Sequence, residues 1–160
     1  MKGRTFADSS FMDGIYAGSL QVRLAENERD VAAAQALRYK VFYEEMGALP
    51  SEEMASSKMD FDHYDEFCDH LLVVDNDLPE GPGRVVGTYR LNRREIANRN
   101  GGFYSTGEYD ISSIIGQPGE ILELGRSCVH RDYRNRATMT LLWRGNAAYV
   151  THYEVKIMFG

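Results

Sequence analysis

The spacing of apolar residues changes period along this chain, and that change restricts the fold more than any other feature. Leu20, Val22 and Leu24 alternate with polar residues, the mark of a half-buried strand. After the turn-like AENE, Asp30 reads as the cap of a helix running to about Met46, with Gly47 as its stop. Val31, Ala34, Leu37, Val41 and Phe42 recur every three to four residues there and form one buried stripe. SEEMASSKMD reads as a polar connection. HLLVVD and RVVGTYRLN are strands that the Gly/Pro turn DLPEGPG joins as a hairpin. Residues 95–119, with five glycines and one proline, read as a long irregular excursion of the kind that carries function. Glu120 to Val129 returns to strand, Thr138 to about Tyr149 has helical spacing, and VKIMFG begins a last strand. The order β, α, ββ, long loop, β, α, β predicts an α/β (α+β) domain, a mixed central sheet flanked by helices.

At 160 residues, 43% of them hydrophobic and 26% charged, the chain suits one globular domain and excludes disordered and disulfide-scaffold classes. We read 1–18 as an N-terminal arm and 19–160 as the domain. The longest strand-like apolar run, Leu71 to Val74, is far short of a membrane span, and the N-terminus lacks a signal-peptide core, so a cytoplasmic location is the default. Cys68 and Cys128 read as buried thiols rather than a bridge. Residues 1–83 hold 7 basic and 17 acidic side chains, whereas 84–144 hold 10 basic, all arginine, against 6 acidic. A net charge of −6 argues against nucleic acid as a partner. A local arginine cluster suits phosphate or carboxylate groups, although exposed loop charge would account for part of it.

The element order, with the segment V129-H-R-D-Y-R134-N-R136-A137-T-M139, resembles the GNAT acetyltransferase superfamily. Arg134 and Ala137 match its donor loop; Met139 replaces the loop's last small residue. Backbone N–H groups entering the next helix can cradle a pyrophosphate or pantetheine arm, so the resemblance assigns Val129, Arg134, Arg136 and Ala137 to the acyl donor. LRYKVFYEEMGA, DFDHYDEFCDHLLV, VVGTYRL and ELGRSCVHRDYRNR, in this order, are similar to the ornithine N-acyltransferases, the hemolysin-like branch that begins ornithine-lipid synthesis. Acyl-homoserine-lactone synthases share the patterns Arg38 with Phe42, Asp62 with Asp65, Arg90, and Glu123 with Arg126. Those synthases carry a tryptophan where this chain has Gly47 and Ala48, and RSCVHRDYRNR and LLWRG resemble the ornithine branch. Arg131 stands where that branch commonly has proline.

The resemblance implies transfer of a 3-hydroxy fatty acyl group to the α-amine of L-ornithine, giving lyso-ornithine lipid. The donor would be phosphopantetheine on acyl carrier protein, with coenzyme A second, and no cofactor would be resident. Such a reaction needs a base for the ammonium and donors for an oxyanion, which the resemblance implies are backbone N–H groups at a bulge in the Glu120–Val129 strand. Glu123 points away from Leu122 and Leu124 and is the candidate base, directly or through water, or else an ion partner of Arg126 or another arginine. Asp62 and Asp65 with Arg38, Phe42, Arg90 and Arg126 would bind the acceptor; alternatively Arg38 snorkels and DFDHYDE is a solvated helix start. His63, Cys68, Asp69 and His70 lack metal-ligand spacing, and Ser127 and Cys128 lack an activating pattern, so direct transfer without a metal is expected. Phe6, Phe11, Ile15 and Tyr16 pack onto the core, or else touch the inner membrane or cover the acyl group. Two other readings stand beside this one: a lactone synthase using S-adenosylmethionine, and a non-catalytic fragment. GNAT domains continue past a fifth strand, whereas this sequence stops near it, which suggests an incomplete domain or an open sheet edge that could associate.

Overall fold

In the computed structural model, which describes residues 4–160, six strands form one sheet in sequence order. They are β1 (Tyr16–Ala17), β2 (Leu20–Leu24), β3 (Asp69–Asp75), β4 (Val85–Arg93), β5 (Glu120–Val129) and β6 (Val155–Phe159). Neighbours are antiparallel except β5 and β6, which run parallel. A parallel pair needs a crossover. The helices are α1 (Glu28–Tyr39), α2 (Glu52–Ser57), α3 (Arg94–Asn100), α4 (Ser112–Ile115) and α5 (Arg136–His152), and α5 is that crossover. The mixed sheet with flanking helices agrees with the sequence reading, with the short β1 added.

β3 is buried along its whole length, which explains the unbroken LLVV run. Leu71 and Val73 pack with Leu141, Leu142 and Tyr149 of α5; Leu72 and Val74 pack with Val31, Ala34 and Leu37 of α1. α5 lies close to the sheet at Gly145, where a Cβ would fall 2.7 Å from Val22 Cγ2 and 2.9 Å from Leu71 Cδ1. Only glycine permits that approach. Tyr149 OH donates to Asp69 Oδ2 (2.6 Å) and accepts from Arg93 Nε (3.0 Å), fixing the helix to β3 and β4. Of the arm, Met12 is buried, Phe11 stacks on His152 at 4.0 Å, and Phe6 packs near α1.

Several sequence expectations are corrected. Asn27, not Asp30, caps α1, accepting from Arg29 N and Asp30 N; Asp30 instead pairs with Arg23. The α-helical stretch ends at Tyr39 and passes into π-helical turns over Lys40–Glu45, and Gly47 follows with φ +77°. SEEMASSKMD contains α2, capped by Ser51. The 95–119 excursion includes most of α3 and all of α4, held by a small core of Ala97, Phe103, Ile111 and Ile121 that no periodic pattern announces. α5 starts at Arg136 because the Asn135 side chain accepts from Thr138 N. Arg38 does not snorkel: it is 1% exposed.

Candidate active site

The sheet face opposite α5 carries a polar row. Cross-strand pairing sets His70 beside Arg90 and Asn92 beside Glu123. Arg38, in the last turn of α1, reaches the acids that precede β3. Its Nε donates to Asp60 Oδ2 at 2.7 Å, and its Nη1 and Nη2 donate to Asp65 Oδ1 and Oδ2 at 2.9 and 2.6 Å. Nη2 also donates to the Asp60 carbonyl. Arg90 Nη1 donates to Asp62 Oδ1 (2.5 Å) and Asp65 Oδ1 (3.0 Å). The acids are fixed from their own segment too. Asp62 caps a short turn, His63–Glu66, by accepting from Tyr64 N, and Asp65 Oδ2 accepts from Asp62 N. Gln35 adds a bond to Asp65, and Tyr43 OH donates to Asp60 Oδ1. Burial alone would raise the Asp65 carboxyl, but the hydrogen bonds and charge of Arg38, aided by His70 and Arg90, hold it well below the ordinary carboxylate range.

β5 departs from its ladder between Gly125 and Cys128, where Tyr89 of β4 faces both Arg126 and Ser127, so a bulge lies in this strand as the resemblance implies. Arg126 occupies it with φ +48°, a left-handed conformation uncommon for arginine. The bulge turns that guanidinium into a cavity of 250 Å³ lined by Arg90, Asn92, Tyr104, Glu108, Glu123 and Arg126. Arg126 also borders an apolar cleft of 360 Å³ formed with Phe42, Tyr43 and Met46. It lies 3.5 Å from Asp62 Oδ2 and 3.8 Å from Asp60 Oδ2, too far for hydrogen bonds to either. Glu123, 5% exposed, is not its ion partner. Glu123 Oε2 accepts from Tyr104 N (2.9 Å) and Oε1 from Ser105 N (2.7 Å), which latches the excursion over the cavity.

The residues assigned to the donor gather where β5 ends. Arg134 Nε donates to the Val129 carbonyl at 3.0 Å and Nη2 to Glu45 at 2.7 Å, while Arg136 and Ala137 are exposed in the first turn of α5. The structure thus brings Arg38, Asp62, Asp65, Arg90, Glu123 and Arg126 to one sheet face, with Phe42 at its apolar margin. Sequence reading missed Asp60, Asn92, Tyr104 and Glu108. Period-two spacing of Thr88, Arg90 and Asn92 carried a signal for Asn92, and the alternation of Asp60 with Asp62 one for Asp60. No pattern marks Tyr104 or Glu108. Among the described residues no group of His, Cys, Asp and Glu is arranged to hold a metal, and no helix is long and apolar enough to cross a membrane.

The acetyltransferase (GNAT) domain family matches residues 37–144, from the end of α1 through half of α5. This chain belongs to the GNAT family. Its GNAT domain is similar to proteins named L-ornithine N(alpha)-acyltransferase: 50% identical over 147 residues in Agrobacterium fabrum and 41% over 143 in Rhodobacter capsulatus. Each match covers 89% of this chain, and 50% and 55% of those relatives, so the chain spans about half the length of the curated relatives it matches. Among solved structures, the N-acyl amino acid synthase FeeM from uncultured soil microbes superposes with TM-score 0.59 at 12% identity, covering 87% of this chain and 70% of that one. The acyl-homoserine-lactone synthase LasI gives 0.55 at 18%, covering 86% and 68%. At such identities these likenesses show a shared GNAT fold.

Proposed function

We propose that this GNAT domain transfers a fatty acyl group from a phosphopantetheine thioester to the α-amine of L-ornithine. The observation that carries the reading is Arg126: it borders both a cavity whose charged side chains suit an amino acid and a cleft whose Phe42 and Met46 side chains suit an acyl chain. The names of the relatives supply ornithine as acceptor. Acyl carrier protein, with a 3-hydroxyacyl chain, is the donor we favour, and lyso-ornithine lipid is then the product.

In this reading Arg126 binds the acceptor carboxylate, since its donors lack hydrogen-bonded acids and a guanidinium fork fits two carboxylate oxygens. The free amine attacks the thioester carbonyl. A C–N bond forms, the amine proton leaves, and collapse of the tetrahedral intermediate breaks the C–S bond and releases the thiol. Glu123 Oε2 accepts from both Tyr104 N and Asn92 Nδ2, whereas Oε1 accepts from Ser105 N alone and has a lone pair left, so Glu123 takes the proton at Oε1, directly or through a water. Backbone N–H groups at the bulge face the oxyanion. The donor arm lies along the Val129–Ala137 segment.

The test is mass spectrometry of products from the purified chain with 3-hydroxyacyl carrier protein and either ornithine or S-adenosylmethionine. Acyl-ornithine is expected, and Glu123→Gln should remove it. Methylthioadenosine release would overturn the acceptor assignment; absence of product with either would overturn the enzyme reading for this chain.

A further inference from the structure

Four charged groups line the 250 Å³ cavity: the guanidiniums of Arg90 and Arg126 and the carboxylates of Glu108 and Glu123. Two are already committed. Arg90 is hydrogen-bonded to Asp62 and Asp65, and Glu123 to two backbone N–H groups. That leaves Arg126 and Glu108. Glu108 Oε1 accepts from Tyr104 OH at 3.1 Å, and among the described residues Glu108 has no cationic partner within ion-pair distance. Arg126 stands 3.5 Å from Asp62 and 3.8 Å from Asp60 without hydrogen-bonding either, and a guanidinium with free donors and a carboxylate without a cationic partner in one cavity are the complement of a molecule that carries a carboxylate and, at its other end, an ammonium.

Resting on the acceptor reading above, we propose that Glu108 selects ornithine by holding its side-chain ammonium while Arg126 holds the carboxylate. Glu123 is already assigned to the proton of the α-amine, which leaves Glu108 for the other nitrogen, and a carboxylate that binds an ammonium favours its charged form. That effect is useful at the side-chain nitrogen. Held by Glu108, it stays protonated and cannot compete for the acyl group, so acylation falls on the α-nitrogen. Tyr104 makes the arrangement rigid. Its hydroxyl orients Glu108 and its backbone N–H is held by Glu123, so the glutamate that latches the loop also positions the residue that reads the substrate.

Two measurements on the full chain test this. Calorimetry compares binding of ornithine and norvaline, which has the same carbon chain without the terminal amine. Fragmentation mass spectrometry then assigns the acylated nitrogen. The unmodified chain should prefer ornithine by about tenfold or more, the scale of one charge-assisted hydrogen bond. Glu108→Gln should erase most of that preference and let part of the acyl group appear on the side-chain nitrogen, while Glu108→Asp should keep part of the preference. Equal ornithine preference in the unmodified chain and in Glu108→Gln would overturn the role of Glu108 even if acylation proceeds. Acylation of no acceptor would instead overturn the enzyme reading, and the binding comparison would still decide Glu108.

Discussion

Arg38 and Arg126 address the same group of aspartates from opposite sides, yet their surroundings differ sharply. Arg38 is 1% exposed and makes four hydrogen bonds of 2.6 to 2.9 Å to Asp60 and Asp65. Arg126 is 28% exposed, sits on a bulge, and meets Asp60 and Asp62 only at 3.8 and 3.5 Å. A saturated guanidinium has little left for a ligand. The cluster of Arg38, Asp60, Asp65 and Arg90 therefore braces α1 against β4 and shapes the cavity wall, whereas Arg126 and Glu108 keep hydrogen-bonding capacity for the substrate proposed above. Of the arginines that the motifs bring to this face, the geometry separates scaffold from recognition.

The largest test of that division is Asp65→Asn. It withdraws the charge that Arg38 and Arg90 share in a site only 4% exposed, and removing one partner of a buried ion pair costs about 3 to 5 kcal/mol. Equilibrium urea unfolding should record that loss; a change below about 1 kcal/mol would mean the cluster is not the brace described. Arg126→Gln should do the reverse. The loss of a bidentate carboxylate contact should lower kcat/KM for ornithine by about 100-fold. Its thermal midpoint should stay within about 2 °C, because the side chain gives up no short hydrogen bond. A large fall in stability with activity intact would reverse the two roles.

The sheet and both long helices were legible because their apolar periods are set by burial on one face or two. β5 was read to its ends, and the period-two pattern correctly turned Glu123 away from Leu122 and Leu124. What stayed hidden depends on contacts remote in sequence. That Asp30 pairs back to Arg23, leaving the cap to Asn27, is a competition between two good capping residues that spacing cannot decide. The burial of Arg38 needs Asp60 and Asp65 brought from beyond α2, and the latch on Glu123 needs a loop 18 residues earlier. Tyr104 and Glu108 lie in a segment without periodicity, so their approach to the cavity is purely tertiary. The bulge at Arg126 was implied by family resemblance, and Gly125, an isolated glycine within the strand pattern, is its local mark.

His70 is the exception inside the saturated region and offers the finest test of it. It is 1% exposed, flanked across the strand by Arg90, and neither ring nitrogen has a hydrogen-bond partner; Asp65 Oδ1 stands 3.9 Å away. Burial pushes its pKa down to about 3, against the pull of Asp65 and with the aid of Arg38 and Arg4. The folded protein thus holds His70 neutral while the unfolded chain binds a proton near pH 6.5. Between those values the unfolded state carries more protons, so stability is fully present above about pH 6.5 and falls as pH drops towards 3, with a slope of up to about 1.4 kcal/mol per pH unit. The depressed Asp65 acts in the same direction but only once pH falls below the ordinary aspartate value of 3.8. Asp69, whose carboxyl burial holds above the ordinary value, works in the opposite sense, so the histidine is read from the difference in slope between the unmodified chain and a variant, measured from pH 7.5 to 4.5. His70→Leu should flatten that slope whatever its effect on stability at neutral pH, since a leucine cannot titrate. A slope that persists in the variant would assign the acid sensitivity elsewhere and would mean that His70 is bonded and charged within the cluster, as saturated as its neighbours.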